Sequence, residues 1–248
     1  MNKSFIHNST QTSNQSIVIN HYWLPIQPII DKLINLCSHL SLSNIIEIGP
    51  GITPFPIANT FIGFNESIKN FINIDIDTQI LPFNNLHFDF LYCRHTIEDI
   101  QNPNFALSEM FRIASNGYIE TPSPIIEITK GVDSSTFNQL YGGYRHHRYI
   151  IWSNIKNNHI YILPKYSCII DHLIHSNNPD VIKLIENPIY WNNYFIWNNN
   201  ILPTITNYKV GVNINPNTFV EDYISIIYNA INDSISNTNY FIHEYLKL

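Results

Sequence analysis

Residues Asn44–Gly51 read NIIEIGPG: an apolar run, one acid, then two glycines spaced one residue apart. A buried strand ending in such a turn lets backbone approach a ligand closely, because glycine puts no side chain at the contact and tolerates positive φ. The turn is therefore a candidate floor for a nucleotide-type site. Taken alone, a Gly-x-Gly after a strand serves many cofactors and also many plain structural turns. The segments that follow it narrow the reading.

Working outward, Trp23–Leu40 reads as a helix leading into that strand, since Ile29, Leu33, Leu36 and Leu40 recur at helical spacing and Pro25 and Pro28 suit a first turn. Phe61–Phe64, Phe71–Ile76 and Phe88–Cys93 are short β-rich runs. Asn102-Pro103 opens a helix striped by Ala106, Leu107, Met110 and Ile113, and Gly117–Glu120 is the next strand. That rhythm is the pattern of a mostly parallel α/β sheet with helices on both faces. Ligands of such sheets bind beyond the carboxyl ends of the strands, where Gly49, Asp77, Arg94 and Glu120 all fall.

Past Thr121 the pattern changes to antiparallel additions. Arg148–Trp152 and His159–Leu163 read as hairpin arms around Asn157-Asn158, and Tyr190–Trp197 with Ile201–Val210 reads as further antiparallel strands. Thr218 and Glu221 form a capping-box pattern for a last helix whose Val220, Ile224, Ile227 and Ile231 share a face. Residues 1–20 read as a polar, disordered tail, and 21–248 as one domain, its cofactor-binding core at about 41–124 and its acceptor-side additions at about 125–248.

Composition limits the function classes. A hydrophobic content of 44% excludes a disordered chain, and a formal net charge of −6 provides no basic footprint for phosphate backbones, which makes nucleic acid an unfavoured partner. Cys37, Cys93 and Cys168 are scattered, with no Cys-x-x-Cys pair, which fits a reducing compartment. No run approaches a membrane span and no apolar leader is visible, so the expectation is a soluble, cytoplasmic protein. A nicotinamide site is disfavoured because Pro54 stands where Gly-x-Gly-x-x-Gly needs its third glycine, with Pro56 close behind.

Four segments together resemble the class I S-adenosylmethionine-dependent methyltransferases, in particular the type 11 group: EIGPG at Glu47–Gly51, DTQILPF at Asp77–Phe83, FDFLYCRHTIED at Phe88–Asp99 and NPNFALSEMFRIASNGYIETPSP at Asn102–Pro124. The resemblance spans about residues 44–124 and implies a Rossmann-like fold with S-adenosylmethionine as cofactor. It implies that Glu47, Gly49, Pro50 and Gly51 hold the amino-acid end of the cofactor, that Asp77 meets the adenine, and that Arg94 and His95 line the pocket. Glu66 is the favoured ribose acid, against Asn65 and Asp75. The chain departs from the family where its third glycine is replaced by Thr53, followed by Pro54 and Phe55.

Methyl transfer to an oxygen needs positioning and a group to take the acceptor's proton, for which histidine is the first candidate. YGGYRHHRYIIW at Tyr141–Trp152 gathers His146 and His147, candidate bases, with Arg145 and Arg148, candidate anchors, after a flexible Gly142-Gly143 pair. No ligand spacing specifies a metal and none is assigned, the one set weighed being Glu120, Asp133 and His146. The function expected is O-methylation of a small polar or sugar acceptor, with a homodimer left open. The alternatives are a non-catalytic methyltransferase-fold binding protein and an RNA or protein methyltransferase.

Overall fold

The computed structural model describes residues 24–63, 70–133, 141–173, 183–198 and 201–247. The polar N-terminal tail and both Asn65 and Glu66 lie outside them.

Helix α1 (Gln27–His39) begins after Pro25 and carries Pro28 in its first turn, where the missing N–H costs nothing. Its buried stripe is Ile29, Ile30, Leu33 and Cys37, so Ile29 and Leu33 stand as expected, Leu36 is partly buried, and Leu40 lies exposed beyond its end. The chain then builds β1 (Ile45–Ile48), β2 (Thr60–Gly63), β3 (Phe71–Asn73), β4 (Phe90–Arg94), α2 (Pro103–Ile113) and β5 (Gly117–Pro122). A short helix α3 (Pro124–Ile128) follows, capped by the Ser123 hydroxyl, which accepts from the Ile126 amide. Next come β6 (Tyr149–Asn154), β7 (His159–Pro164), β8 (Asn192–Trp197), β9 (Thr204–Asn207) and a C-terminal helix, Phe219–Phe241.

Six strands form one sheet in the order β3-β2-β1-β4-β5-β8. The first five are parallel and β8 runs antiparallel to β5, from Gly117 opposite Trp197 to Pro122 opposite Asn192. This is the Rossmann-like arrangement with an antiparallel addition. Side chains alternate along a strand, which identifies what covers each face. On one face, Phe111 of α2 meets Phe195 and Trp197 of β8 edge-on, at 6.3 and 5.0 Å. On the other, Phe241 of the C-terminal helix stacks on Tyr194 at 4.6 Å and lies 6.3 Å from Tyr118. The sheet therefore has helices on both faces.

A second sheet has the order β6-β7-β9. The hairpin β6–β7 stands as expected, but β9 pairs parallel to β7, contrary to the antiparallel expectation, because the chain makes the β8 excursion through the first sheet before returning beside β7. The C-terminal helix packs over this unit through Tyr223, Ile227 and Ala230, while Val220, expected on that face, is exposed. Thr218 precedes the helix without forming a capping box. Its hydroxyl instead donates to Asp222, one residue beyond the expected Glu221. Among the described residues, no helix is long and apolar enough to cross a membrane.

Candidate active site

The first crossover places the glycine turn. Only eleven residues, 49–59, join β1 to β2, and they contain no helix. Phe55 fills the space above the sheet, stacking on Tyr92 at 4.4 Å, and its amide donates to Oε2 of Glu47 at 2.7 Å. Within the Thr53-Pro54-Phe55 departure, Phe55 is thus the buried plug that ties the turn to β1, while Thr53 stays exposed. Gly49 sits at φ +72, where a Cβ would lie 2.0 Å from Oγ1 of Thr96. Both its conformation and its contact with the loop after β4 require glycine. Gly51 has open space around it and carries no such demand.

A cleft of about 410 Å³ opens at the carboxyl ends of the parallel strands. Gly49 and Pro50 line it after β1, Gly63 at the end of β2, Ile74–Asp77 after β3, and His95, Thr96, Asp99 and Ile100 after β4. Of the residues expected to hold a cofactor, Gly49, Pro50, Asp77 and His95 are brought together here. His95 has φ +48, an uncommon conformation for a residue with a side chain and one that concentrates at functional sites. Asp77 accepts the Asn102 amide at 2.8 Å, fastening the β3 loop to the start of α2. The competing acid Asp75 spends both oxygens on its own turn, accepting from the Asp77 amide and the Thr78 hydroxyl.

Glu47 and Arg94 stand behind the cleft wall. Burial pushes the Glu47 carboxyl up to about 7, against the opposing Phe55 amide and the Arg94 charge. Arg94 turns its Nε to Oε1 of Glu120 at 2.8 Å. Glu120 also accepts from Tyr118 and Asn192, so it is a buried hub rather than a rim residue. Burial alone would raise its carboxyl, but Arg94, His95 and Tyr118 together hold it down at about 2.

The histidine segment faces a different acid. His147 is buried, with Nδ1 2.5 Å from Oε1 of Glu127 on α3, and Lys165 donates to the other oxygen of Glu127 at 2.5 Å. Burial would lower the His147 imidazole, yet the Glu127 charge and hydrogen bond raise it above its ordinary value. Glu127 is correspondingly drawn down to about 2 by Lys165 and His147 despite its burial. The Gly142-Gly143 pair expected to be flexible is tightly packed. A Cβ on Gly143, at φ +59, would lie 2.6 Å from the Glu127 carbonyl oxygen and carboxylate, and one on Gly142 would strike Ile170.

Backbone laces this segment to the loop after β4. The amides of Arg148 and Tyr149 donate to the carbonyl of Glu98, and Arg148 Nε donates to the carbonyl of Asp99 at 2.9 Å. The Nε2 atoms of His146 and His147 each lie 3.9 Å from Oδ1 of Asp99. His146 is largely exposed, and Arg145 rests over the Tyr141 ring. Asp99 belongs both to the cleft and to this corner, so one residue joins the two halves of the site. The set Glu120, Asp133 and His146 is not assembled, since Glu120 is held in its hub and Asp133 bonds Tyr141. Sequence reasoning missed Glu98, Asp99 and Lys165, although the first two end the motif FDFLYCRHTIED that supplied Arg94 and His95, and it offered Glu127 only as a partner for the arginines, whereas it pairs with His147 and Lys165.

Comparison with known proteins gives a family profile described as a methyltransferase domain, matched over residues 58–119. No curated protein sequence matches the chain. Similar solved structures include an S-adenosylmethionine-dependent methyltransferase from Clostridium acetobutylicum, 10% identical, covering 42% of this chain and 53% of that one, with a TM-score of 0.33. A second, from Mesorhizobium loti, is 15% identical over 36% and 51% of the two chains, with a TM-score of 0.29. A third, from Thermotoga maritima and described as a possible histamine N-methyltransferase, is 22% identical over 36% and 48%, with a TM-score of 0.28. The chain spans about half the length of the structures it aligns with.

Proposed function

We propose that this chain, whose residues 58–119 match a methyltransferase domain, works as a class I S-adenosylmethionine-dependent methyltransferase and transfers the methyl group to a hydroxyl oxygen of a small polar or carbohydrate-type acceptor. The observation that carries the reading is the cleft at the carboxyl ends of β1 to β4, with a left-handed Gly49 as its floor and Asp99 shared with a histidine corner. The fit to the cofactor rests on that floor: a Cβ at Gly49 would occupy the turn, and the apolar Ile74, Ile76 and Ile100 supply walls suited to a planar base.

When bound, S-adenosylmethionine supplies an electrophilic methyl group on a sulfonium. The chain's own residues do the rest. Gly49, Pro50 and Gly51 offer backbone to the amino-acid end, and Glu47 acts through the Phe55 amide to set the shape of that turn. Asp77 and His95 face the nucleoside part. Arg94 is a positioning residue, acting on His95 through the Glu120 they share. The acceptor docks at the Asp99–His146–His147 corner, where Glu127 fixes the orientation of His147 and Arg148 braces the loop that carries Asp99. An acidic net charge and the absence of a basic groove among the motifs favour a small acceptor over nucleic acid.

The test is transfer of a labelled methyl group from S-adenosylmethionine to a panel of hydroxyl compounds beginning with nucleotide sugars. Labelled product from the natural chain and none from His147→Ala supports the reading. No product from any hydroxyl compound, with transfer to RNA or protein instead, contradicts it.

A further inference from the structure

The acceptor corner carries more negative charge and more nitrogen ligands than proton transfer alone requires. Asp99, His146 and His147 each offer one metal-ligating atom within 4.8 Å of the other two, and both histidine Nε2 atoms lie 3.9 Å from Asp99 Oδ1. Oδ1 of Asp99 is buried with no hydrogen-bond partner. Beside it, the side chain of Glu98 is only 1% exposed and pairs with His95 Nδ1 at 3.3 Å, adding a second buried carboxylate to the corner. A buried carboxylate oxygen without a hydrogen bond is costly unless a cation compensates it.

The arrangement behind His147 points the same way. Its Nδ1 is engaged by Glu127, which leaves Nε2 directed at Asp99, and Glu127 is itself held by Lys165. A carboxylate on the far nitrogen of an imidazole is the recurrent support of a metal-binding histidine, fixing its orientation and raising its basicity. Three protein ligands beside an open cleft leave coordination positions for a substrate, as in catalytic rather than structural sites.

We infer that Asp99, His146 and His147 bind a divalent cation of the zinc type at the acceptor end of the cofactor cleft. Two nitrogens and one oxygen select a borderline first-row ion over magnesium or calcium, which prefer all-oxygen shells. The two histidine–Asp99 pairs, now 3.9 Å apart, close by about half an ångström around a tetrahedral ion with bonds of about 2.0–2.2 Å, and the exposed His146 can turn to bring its nitrogen towards His147 as well. The inference rests on the acceptor docking at this corner and deepens it. His147 is then a ligand rather than the base, and a bound cation would orient the acceptor's oxygen atoms and lower the pKa of the hydroxyl, whose proton passes to water in the open cleft as the methyl group is transferred.

The experiment titrates the chelator-stripped full chain with Zn²⁺ by calorimetry, and with Co²⁺ by visible absorption, beside His146→Ala, Asp99→Asn and Glu127→Gln. One equivalent bound by the natural chain, with a Co²⁺ spectrum of mixed nitrogen and oxygen ligation, is expected. His146→Ala, at an exposed position that leaves the fold intact, should abolish that site, and Glu127→Gln should weaken it about 10- to 100-fold. Equal binding by the natural chain and His146→Ala, or none by either, overturns the inference. S-adenosylhomocysteine binding is measured on the same stripped samples. Its persistence without metal binding leaves the methyltransferase reading standing, and its loss sinks that reading whatever the metal does.

Discussion

His147 and Glu127 form a buried pair, Nδ1 to Oε1 at 2.5 Å, and the Lys165 ammonium completes it from the other side. The pair belongs to two segments 20 residues apart, the short helix after β5 and the entrance of the β6–β7 hairpin. It fixes where the hairpin starts and which way the His147 ring faces.

Breaking that pair from the acid side should be expensive. Glu127→Gln leaves two buried cationic groups without their counter-charge, at a cost of about 3–5 kcal/mol near neutral pH. Because folding lowers the Glu127 carboxyl from 4.5 to about 2, its stabilisation is present above 4.5 and is lost as pH falls towards 2. Chemical denaturation at several pH values should show the natural chain losing stability over that window and the variant losing less.

Glu47 has the opposite sign. Its folded value of about 7 lies above the ordinary 4.5, so the native state holds its proton more tightly and stability falls as pH rises from 4.5 to 7. Glu47→Gln keeps an acceptor for the Phe55 amide without the buried charge. The variant should match the natural chain near pH 4.5 and exceed it at pH 8 by on the order of 3 kcal/mol, as read by denaturant midpoints.

Phe55 replaces the helix that the first crossover lacks. Phe55→Ala removes a buried ring stacked on Tyr92 and should cost about 3–5 kcal/mol, while Phe55→Leu should cost much less. Cofactor affinity should weaken with Phe55→Ala at temperatures where the protein remains folded, because the Glu47 anchor of the turn loosens.

Gly49 faces two obstacles that can be separated. Gly49→Ala meets both an unfavourable φ and the Thr96 side chain, so it should lose cofactor binding. Adding Thr96→Ala removes the collision with Oγ1 but not the strain. The double variant should recover part of the affinity and not all of it, measured by calorimetry.

The parallel half of the fold was legible because its strands are short apolar runs closed by glycine or a charged residue, with one clear amphipathic helix at Pro103–Ile113. β1 and β4 are neighbours despite lying 45 residues apart, but the right-handed crossover rule of parallel α/β sheets makes such a pairing expected. The direction of β9 was hidden, since the chain leaves the second sheet to add β8 to the first before Thr204–Asn207 returns beside β7, and local pattern does not encode that route. On the C-terminal helix, periodicity found Ile227 and the partly buried Ile224 and Ile231, but it missed Tyr223 and Ala230 and wrongly placed the exposed Val220 on that face. In the site, Gly49 and His95 announced themselves by type and position, whereas Glu127 and Asp99 become partners of the histidines only through long-range packing.

The central claim is that the cleft over Gly49 holds S-adenosylmethionine. Its most direct test is calorimetric titration of the full chain with S-adenosylmethionine and S-adenosylhomocysteine beside Gly49→Arg, with circular dichroism confirming that both proteins are folded. Micromolar binding at one site per chain, lost in the variant, is the predicted result. No binding of either ligand to the folded natural chain, or equal binding to Gly49→Arg, would contradict it.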